Sequence, residues 1–161
     1  MGETTAAMAA ADPGVDLLAI DVHTPGVGSL LADVSRRALT NVRVATGDAV
    51  PFVRDRIAAA SLAGIRVYFP DPWPKSRHHK RRLVDAAFVT LAAAKLAPGG
   101  ELHCATDWQP YAEQMLAVVT ENGSFDVDGF APRPPSRPVT RFERQGLAKG
   151  HSVFDLIARR R

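Results

Sequence analysis

Two hydrophobic periods alternate along this chain. Leu17, Leu18, Ala19 and Ile20 form a short apolar run closed by an acid, which over residues 16–22 suits a strand buried in a parallel sheet. Val42 and Val44 mark a second strand over residues 42–45, and Ile65, Val67, Tyr68 and Phe69 make residues 62–69 the strongest strand of the sequence. Residues 101–106 predict a fourth strand and residues 152–158 a closing one. Between these runs the period lengthens to that of a helix. Residues 4–11 predict a short helix ended by Asp12, Pro13 and Gly14, and residues 27–39 and 51–60 predict two more. Val84, Phe88, Leu91 and Ala92 recur at helical spacing, with Pro98, Gly99 and Gly100 expected to stop that helix. Tyr111, Met115, Val118 and Val119 give a further helical face, followed by a Pro- and Arg-rich loop at residues 132–138. Strands alternating with helices predict an α/β sheet with helices on both faces.

Composition narrows this picture. A chain of 161 residues with 46% hydrophobic and 23% charged content is expected to form one domain over residues 1–161, with a real core. The formal charge is only +3, but five of the eight residues 75–82 are Lys or Arg, and Arg159, Arg160 and Arg161 end the chain. The lone Cys104 cannot form an internal disulfide, which points to a reducing, cytoplasmic setting. The Ala-rich start carries Glu3 and Asp12 and no basic region, so it makes a poor signal peptide. No run is long enough to span a membrane.

Ligands of open α/β sheets bind beyond the carboxyl ends of the strands. Four acids fall there, namely Asp21, Asp48, Asp71 and Asp107, one after each of four successive predicted strands. Singly, each fits a helix cap or a turn. Together they point to a ligand site. The third stands in the most distinctive stretch of the chain, where residues 69–82 read Phe-Pro-Asp-Pro-Trp-Pro-Lys-Ser-Arg-His-His-Lys-Arg-Arg. Proline fixes φ and restricts the residue before it, so Pro70, Pro72 and Pro74 make a stiff extended loop around Asp71. The basic run beside it suits a polyanion, with Lys75, Arg77, Lys80, Arg81 and Arg82 as candidate phosphate contacts. Trp73 suits either stacking on a base or packing beneath the loop. His78 and His79 are adjacent and point apart, and with no Cys cluster nearby they do not suggest a metal site.

Residues 69–82 strongly resemble the signature of the bacterial tRNA (guanine-N7-)-methyltransferases. So do residues 20–28 (Ile-Asp-Val-His-Thr-Pro-Gly-Val-Gly) and residues 102–108 (Leu-His-Cys-Ala-Thr-Asp-Trp) with Tyr111, Ala112 and Glu113. Residues 133–143 (Arg-Pro-Pro-Ser-Arg-Pro-Val-Thr-Arg-Phe-Glu) and residues 150–155 (Gly-His-Ser-Val-Phe-Asp) complete the set, so that five blocks in order cover most of the chain. The resemblance implies a Rossmann-like, S-adenosyl-L-methionine-dependent methyltransferase sheet, with methyl transfer to N7 of a guanine in the tRNA variable loop. It also implies site residues. Asp21 would bind the cofactor ribose, where the family usually has Glu; Asp48 would lie near the adenine, and Asp71 would be the active-site acid that also touches the cofactor. Lys75, Asp107, Thr140, Arg141, Phe142 and Glu143 would contact the RNA substrate. Gly2 would be what remains of a glycine-rich cofactor loop, and Asp21 lies nineteen positions beyond it, near the spacing expected for a ribose-binding acid.

The family has a first strand and two further glycines ahead of that loop, in the middle of the sheet. Its absence here implies unpaired edges on the neighbouring strands, and we expect Met1 to be an internal methionine of a longer protein. Guanine N7 carries a lone pair and no proton, so its methylation needs positioning and electrostatics rather than a general base. Asp71, Asp107 and Glu143 remain equal candidates for the acid that accepts the guanine N1–H and N2–H₂ edge. Two other readings stay open. Pro70, Asp71, Pro72 and Trp73 are also similar to the Asp-Pro-Pro-aromatic loop of base amino-methyltransferases. An incomplete cofactor loop would equally suit an inactive tRNA-binding remnant. The sequence leaves monomer and homodimer open.

Overall fold

The computed structural model describes residues 2–148 and 150–161. The chain divides into two compact units, Met1–Asp55 with Pro134–Arg141, and Arg56–Arg133 with Phe142–Arg161.

In the first unit, helix α1 (Glu3–Ala11) precedes strand β1 (Leu17–Asp21), helix α2 (Thr24–Arg36), strand β2 (Val42–Thr46) and helix α3 (Ala49–Arg56). The two strands pair in parallel, from Leu17 opposite Val42 to Asp21 opposite Thr46. Helix α2 begins three residues before the predicted start, because the His23 Nδ1 accepts the Gly26 N–H at 3.0 Å and Pro25 sits in the first turn, where its missing N–H costs nothing. Helix α3 ends four residues before its predicted end. Strand β1 is only half-buried, with Leu18 exposed, rather than the fully buried strand its apolar run predicted. Gly2, at the cap of α1, has φ +91°, and a Cβ there would lie 2.7 Å from the Leu30 Cβ. Its glycine is therefore needed for the close approach of α1 to α2.

The second unit holds a mixed five-stranded sheet. Strand β3 (Leu62–Tyr68) pairs in parallel with β4 (Leu96–Thr106), which pairs antiparallel with the closing strand β7 (Phe154–Arg160). The short strands β5 (Phe125–Asp126) and β6 (Phe130–Ala131), absent from the sequence reading, both pair with β7. Helices α4 (Ala86–Lys95) and α5 (Gln109–Asn122) pack on each other and on β4. Val84, Val89, Leu96, Leu102, Tyr111 and Met115 are among the fully buried side chains here. The predicted stop at Pro98, Gly99 and Gly100 needs correction. Helix α4 ends at Lys95, and those residues lie inside β4, where the register shifts between the pairs Leu62–Leu96 and Gly64–Glu101. A Cβ on Gly100 would meet the Ala97 and Leu62 carbonyl oxygens at 2.9 and 3.1 Å, so the irregularity requires a glycine. Among the described residues, β1 pairs only with β2 and β3 only with β4, so each has one edge without a strand neighbour. A last helix, α6 (Arg141–Leu147), was also not predicted.

Asn41 ties the first unit together. It is buried, and its side-chain amide donates to the carbonyls of Ala9, Asp12 and Val15 at 3.1, 3.1 and 2.9 Å. Replacing Asn41 with Asp turns that donor into an acceptor facing three carbonyls. Asn41→Asp should therefore lower the unfolding free energy by more than Asn41→Ala, which itself should cost about 1–3 kcal/mol. Urea unfolding of the two variants checks the order.

Candidate active site and nucleic-acid surface

The four acids occupy the carboxyl ends of their strands. Asp21 is the last residue of β1, and Asp48 lies two residues beyond the end of β2. Because β1 and β2 run parallel in register, these two lie at the same end of their sheet, and the Gly47 N–H donates to the Asp21 carbonyl at 3.0 Å. Each carboxylate is aimed by its own turn. The Asp21 Oδ1 accepts the His23 N–H at 2.8 Å, and the Asp48 Oδ1 accepts the Val50 N–H at 2.9 Å. These are the capping and turn contacts that each acid singly suggested. They occupy one oxygen of each carboxylate, and a carboxylate has capacity for several more donors.

Asp71 and Asp107 share an end of the second sheet, because β3 and β4 are parallel with Tyr68 opposite Ala105. Asp71 is exposed and makes no hydrogen bond or ion pair among the described residues. Its loop is strained on both sides: Phe69 has φ +51° and Trp73 φ +43°, in the left-handed region that bulky residues avoid. Each such residue costs on the order of 1–3 kcal/mol, so the surroundings must hold the loop in place. Asp107 is half-buried. Its Oδ2 lies 3.1 Å from the His151 Nδ1, and a Cβ on Gly146 of α6 would come within 2.9 Å of the same oxygen. Gly146 and His151 thus fix Asp107, and neither stood out in the sequence, because their chain neighbours give no hint of a contact 39 or 44 residues away.

The basic strip folds into a 3-10 helix, Ser76–Arg81. Lys75, Arg77, Lys80 and Arg81 are exposed. The Arg81 guanidinium lies 5.0 Å from the centre of the Trp73 ring, and His78 meets the same indole edge-on at 5.7 Å. Trp73 is half-buried under these two side chains, which favours the packing reading of the indole.

Arg82, expected among the phosphate contacts, is only 4% exposed. Its Nε donates to the Pro72 carbonyl at 2.9 Å and its Nη1 to the Gln114 Oε1 at 2.6 Å, with the guanidinium 4.9 Å from the centre of the Tyr111 ring. Burial lowers its pKa, and Tyr111 acts in the opposite direction. In the substrate block, Thr140 and Glu143 are buried, whereas Arg141 and Phe142 are exposed. The Glu143 carboxylate lies 3.8 Å from the Arg133 Nε.

Beneath the loop runs a buried polar chain. The His103 Nε2 donates to the Asp155 Oδ1 at 2.7 Å, and its Nδ1 lies 3.0 Å from the Tyr68 hydroxyl. Since an ionised carboxylate only accepts, Nε2 carries a proton, and in the neutral ring Nδ1 accepts from Tyr68. Cys104, next along β4, is buried and its thiol is pushed up to about 12 by desolvation. Among the described residues no group of three or more His, Cys, Asp or Glu is placed to hold a metal, and no helix is long and apolar enough to cross a membrane.

Comparison with known proteins follows from this geometry. Residues 1–156 match a family described as "Putative methyltransferase". A tRNA (guanine-N(7)-)-methyltransferase of Streptomyces coelicolor is 63% identical over 99% of this chain and 60% of its own length. One from Thiobacillus denitrificans is 52% identical over 100% of this chain and 72% of its own. The chain belongs to the tRNA (guanine-N(7)-)-methyltransferase family. It spans 60% and 57% of the length of the two Streptomyces relatives. The fold is shared more widely. A Haemonchus contortus phosphoethanolamine N-methyltransferase 2, solved in complex with S-adenosyl-L-methionine, aligns over 99% of this chain and 46% of its own at 14% identity and TM-score 0.63. At that identity the likeness establishes the Rossmann-like methyltransferase fold, a mixed sheet with flanking helices, and no substrate.

The buried chain gives a stability test. His103→Ala removes the hydrogen bond donated to the buried Asp155 Oδ1, and should cost about 1–3 kcal/mol. A loss below about 1 kcal/mol in urea unfolding would show that the pair contributes little.

Proposed function

We propose that this chain, as one methyltransferase domain, transfers a methyl group from S-adenosyl-L-methionine to N7 of a guanine in the variable loop of tRNA, in the cytoplasm. The observation that carries this reading is Asp71, an exposed carboxylate without a hydrogen-bond or ion-pair partner among the described residues, held in a strained loop beside the exposed cations Lys75, Arg77, Lys80 and Arg81. Family membership supplies the chemistry that such a site would serve.

The residues present fit the cofactor. Asp21 and Asp48 each keep one carboxylate oxygen engaged by a backbone N–H, which orients the group while leaving capacity for ribose or adenine donors. Asp71 is assigned to the cofactor by resemblance. Gly2 belongs to it by resemblance, although its packing on Leu30 already accounts for a glycine there. When bound, the cofactor supplies an electrophilic methyl on a sulfonium.

The chain's own residues then have two tasks. The first is to bring the guanine ring in line, using acceptors for N1–H and N2–H₂. Asp71 is open, and Asp107 keeps one oxygen clear of His151, so these two favour that assignment over Glu143, which is buried beside Arg133. The second is to favour positive charge on the ring as it develops, which a fixed carboxylate does in a partly dehydrated site. Lys75, Arg77, Lys80 and Arg81 hold tRNA phosphates, and Thr140, Arg141 and Phe142 extend the RNA contact.

Incubation of the purified chain with labelled S-adenosyl-L-methionine and unmodified tRNA, followed by nucleoside analysis, tests the proposal. N7-methylguanosine that is lost in Asp71→Ala is expected. Methylation of an exocyclic amine of adenine or cytosine would overturn the N7 reading, and tRNA binding without product would overturn the catalytic one. Gly146→Ala should reduce transfer by about 10- to 100-fold without lowering the melting temperature, since its Cβ displaces the Asp107 carboxylate.

A further inference from the structure

We propose that Arg82 is a positioning residue, a buried strut that fixes the Pro72 carbonyl and thereby the Asp71 carboxylate, and that it makes no contact with RNA phosphate. The inference rests on the proposed methyl transfer for its kinetic consequences but not for its geometry.

The loop cannot hold itself. Pro70, Pro72 and Pro74 have no N–H to donate. Among the described residues, no backbone–backbone hydrogen bond is made by any of residues 70–74, between the Phe69 N–H bonded to Ala105 and the Lys75 carbonyl bonded to His78. The only backbone polar group Pro72 offers is its carbonyl, and the Arg82 Nε takes it at 2.9 Å. Positive φ at Phe69 and at Trp73 brackets this point, so the contact falls where the chain would otherwise relax.

The strut is anchored at its other end. The Arg82 Nη1 donates to the Gln114 Oε1 at 2.6 Å, and the Gln114 Nε2 donates to the Val84 carbonyl at 3.2 Å. The Val84 N–H in turn donates to the Tyr111 hydroxyl at 2.8 Å, and the Tyr111 ring carries the guanidinium on its face. One side chain therefore connects the Asp71 loop to the fully buried Tyr111 of α5. Nη2 is buried and has no hydrogen-bond partner among the described residues, so a phosphate would have to displace protein to reach it. The exposed Lys75, Arg77, Lys80 and Arg81 meet no such obstacle. A planar fork with two donors in fixed directions is an arginine property, and a lysine ammonium keeps the charge but not the fork.

These features separate Arg82 from its neighbours by experiment. Salt dependence of tRNA binding is measured for Arg77→Ala, Lys80→Ala and Arg82→Gln. The first two should each reduce the slope of log K against log salt by about one, as loss of a phosphate contact requires. Arg82→Gln should leave the slope unchanged, and a reduction by about one would overturn the proposal. Arg82→Lys covers the case in which the glutamine variant does not fold. A phosphate contact would be rescued by lysine, whereas a strut would not, so kcat should fall by about 10-fold or more with KM for tRNA nearly constant. Near wild-type kcat in Arg82→Lys would refute the strut.

A third measurement needs no activity. In a Trp108→Phe background Trp73 is the one remaining indole, and acrylamide quenching reports the loop. Arg82→Lys should raise the quenching constant, and an unchanged constant would count against the proposal. If the unsubstituted chain neither binds tRNA nor transfers methyl, the functional reading fails, while the quenching result still decides the strut.

Discussion

Three strands of the larger sheet are joined at their functional end by one buried chain of side-chain hydrogen bonds. Tyr68 of β3, His103 of β4 and Asp155 of β7 meet where the Asp71 loop departs. Backbone pairing alone sets strand neighbours and register. It does not fix the angle at which a loop leaves the last residue, and a polar chain in a low-dielectric interior does that with directional contacts. The arrangement demands completeness, because a buried carboxylate that loses its donor is costly. The aromatic edge-on contact of Tyr68 and His103, with ring centres 4.9 Å apart, further restricts the ring.

Charge in this unit is sorted by depth. The cations at the surface of the 3-10 helix are exposed to a polyanion, and the buried Arg82 guanidinium engages a carbonyl, an amide and a ring. The carboxylates are sorted in the same way. Asp71 has no partner among the described residues, Asp107 is half-buried with one oxygen on His151, and Asp155 is buried as structure. The proposed transfer to an unprotonated ring nitrogen asks for oriented charge rather than proton movement, and a graded set of fixed carboxylates suits that chemistry.

Much of this was legible in the sequence for identifiable reasons. Strands β1 to β4 and β7 announce themselves as apolar runs, and the four acids follow from the rule that α/β sheets carry ligands at strand carboxyl ends. Other features were invisible because their causes are not local. The irregular start of β4 overrides Pro98, Gly99 and Gly100 because the Leu62 carbonyl crosses close to Gly100. The short β5 and β6 exist only because β7 offers them an edge. His103 sits in an apolar strand with nothing nearby in sequence to explain it, since its partners are 35 and 52 residues away.

The sequence by itself determined the α/β alternation, the stiffness of the Asp71 loop and the family, because prolines, periodicity and a long motif act through neighbouring residues. Tertiary structure alone decided which cations remain at the surface. Five cations of one basic strip look equivalent in one dimension, but the Pro72 carbonyl and an aromatic face at Tyr111 select Arg82 for the interior. Desolvation is the physical reason: a charge leaves water only where fixed acceptors replace it, and the positions of those acceptors are set by the fold.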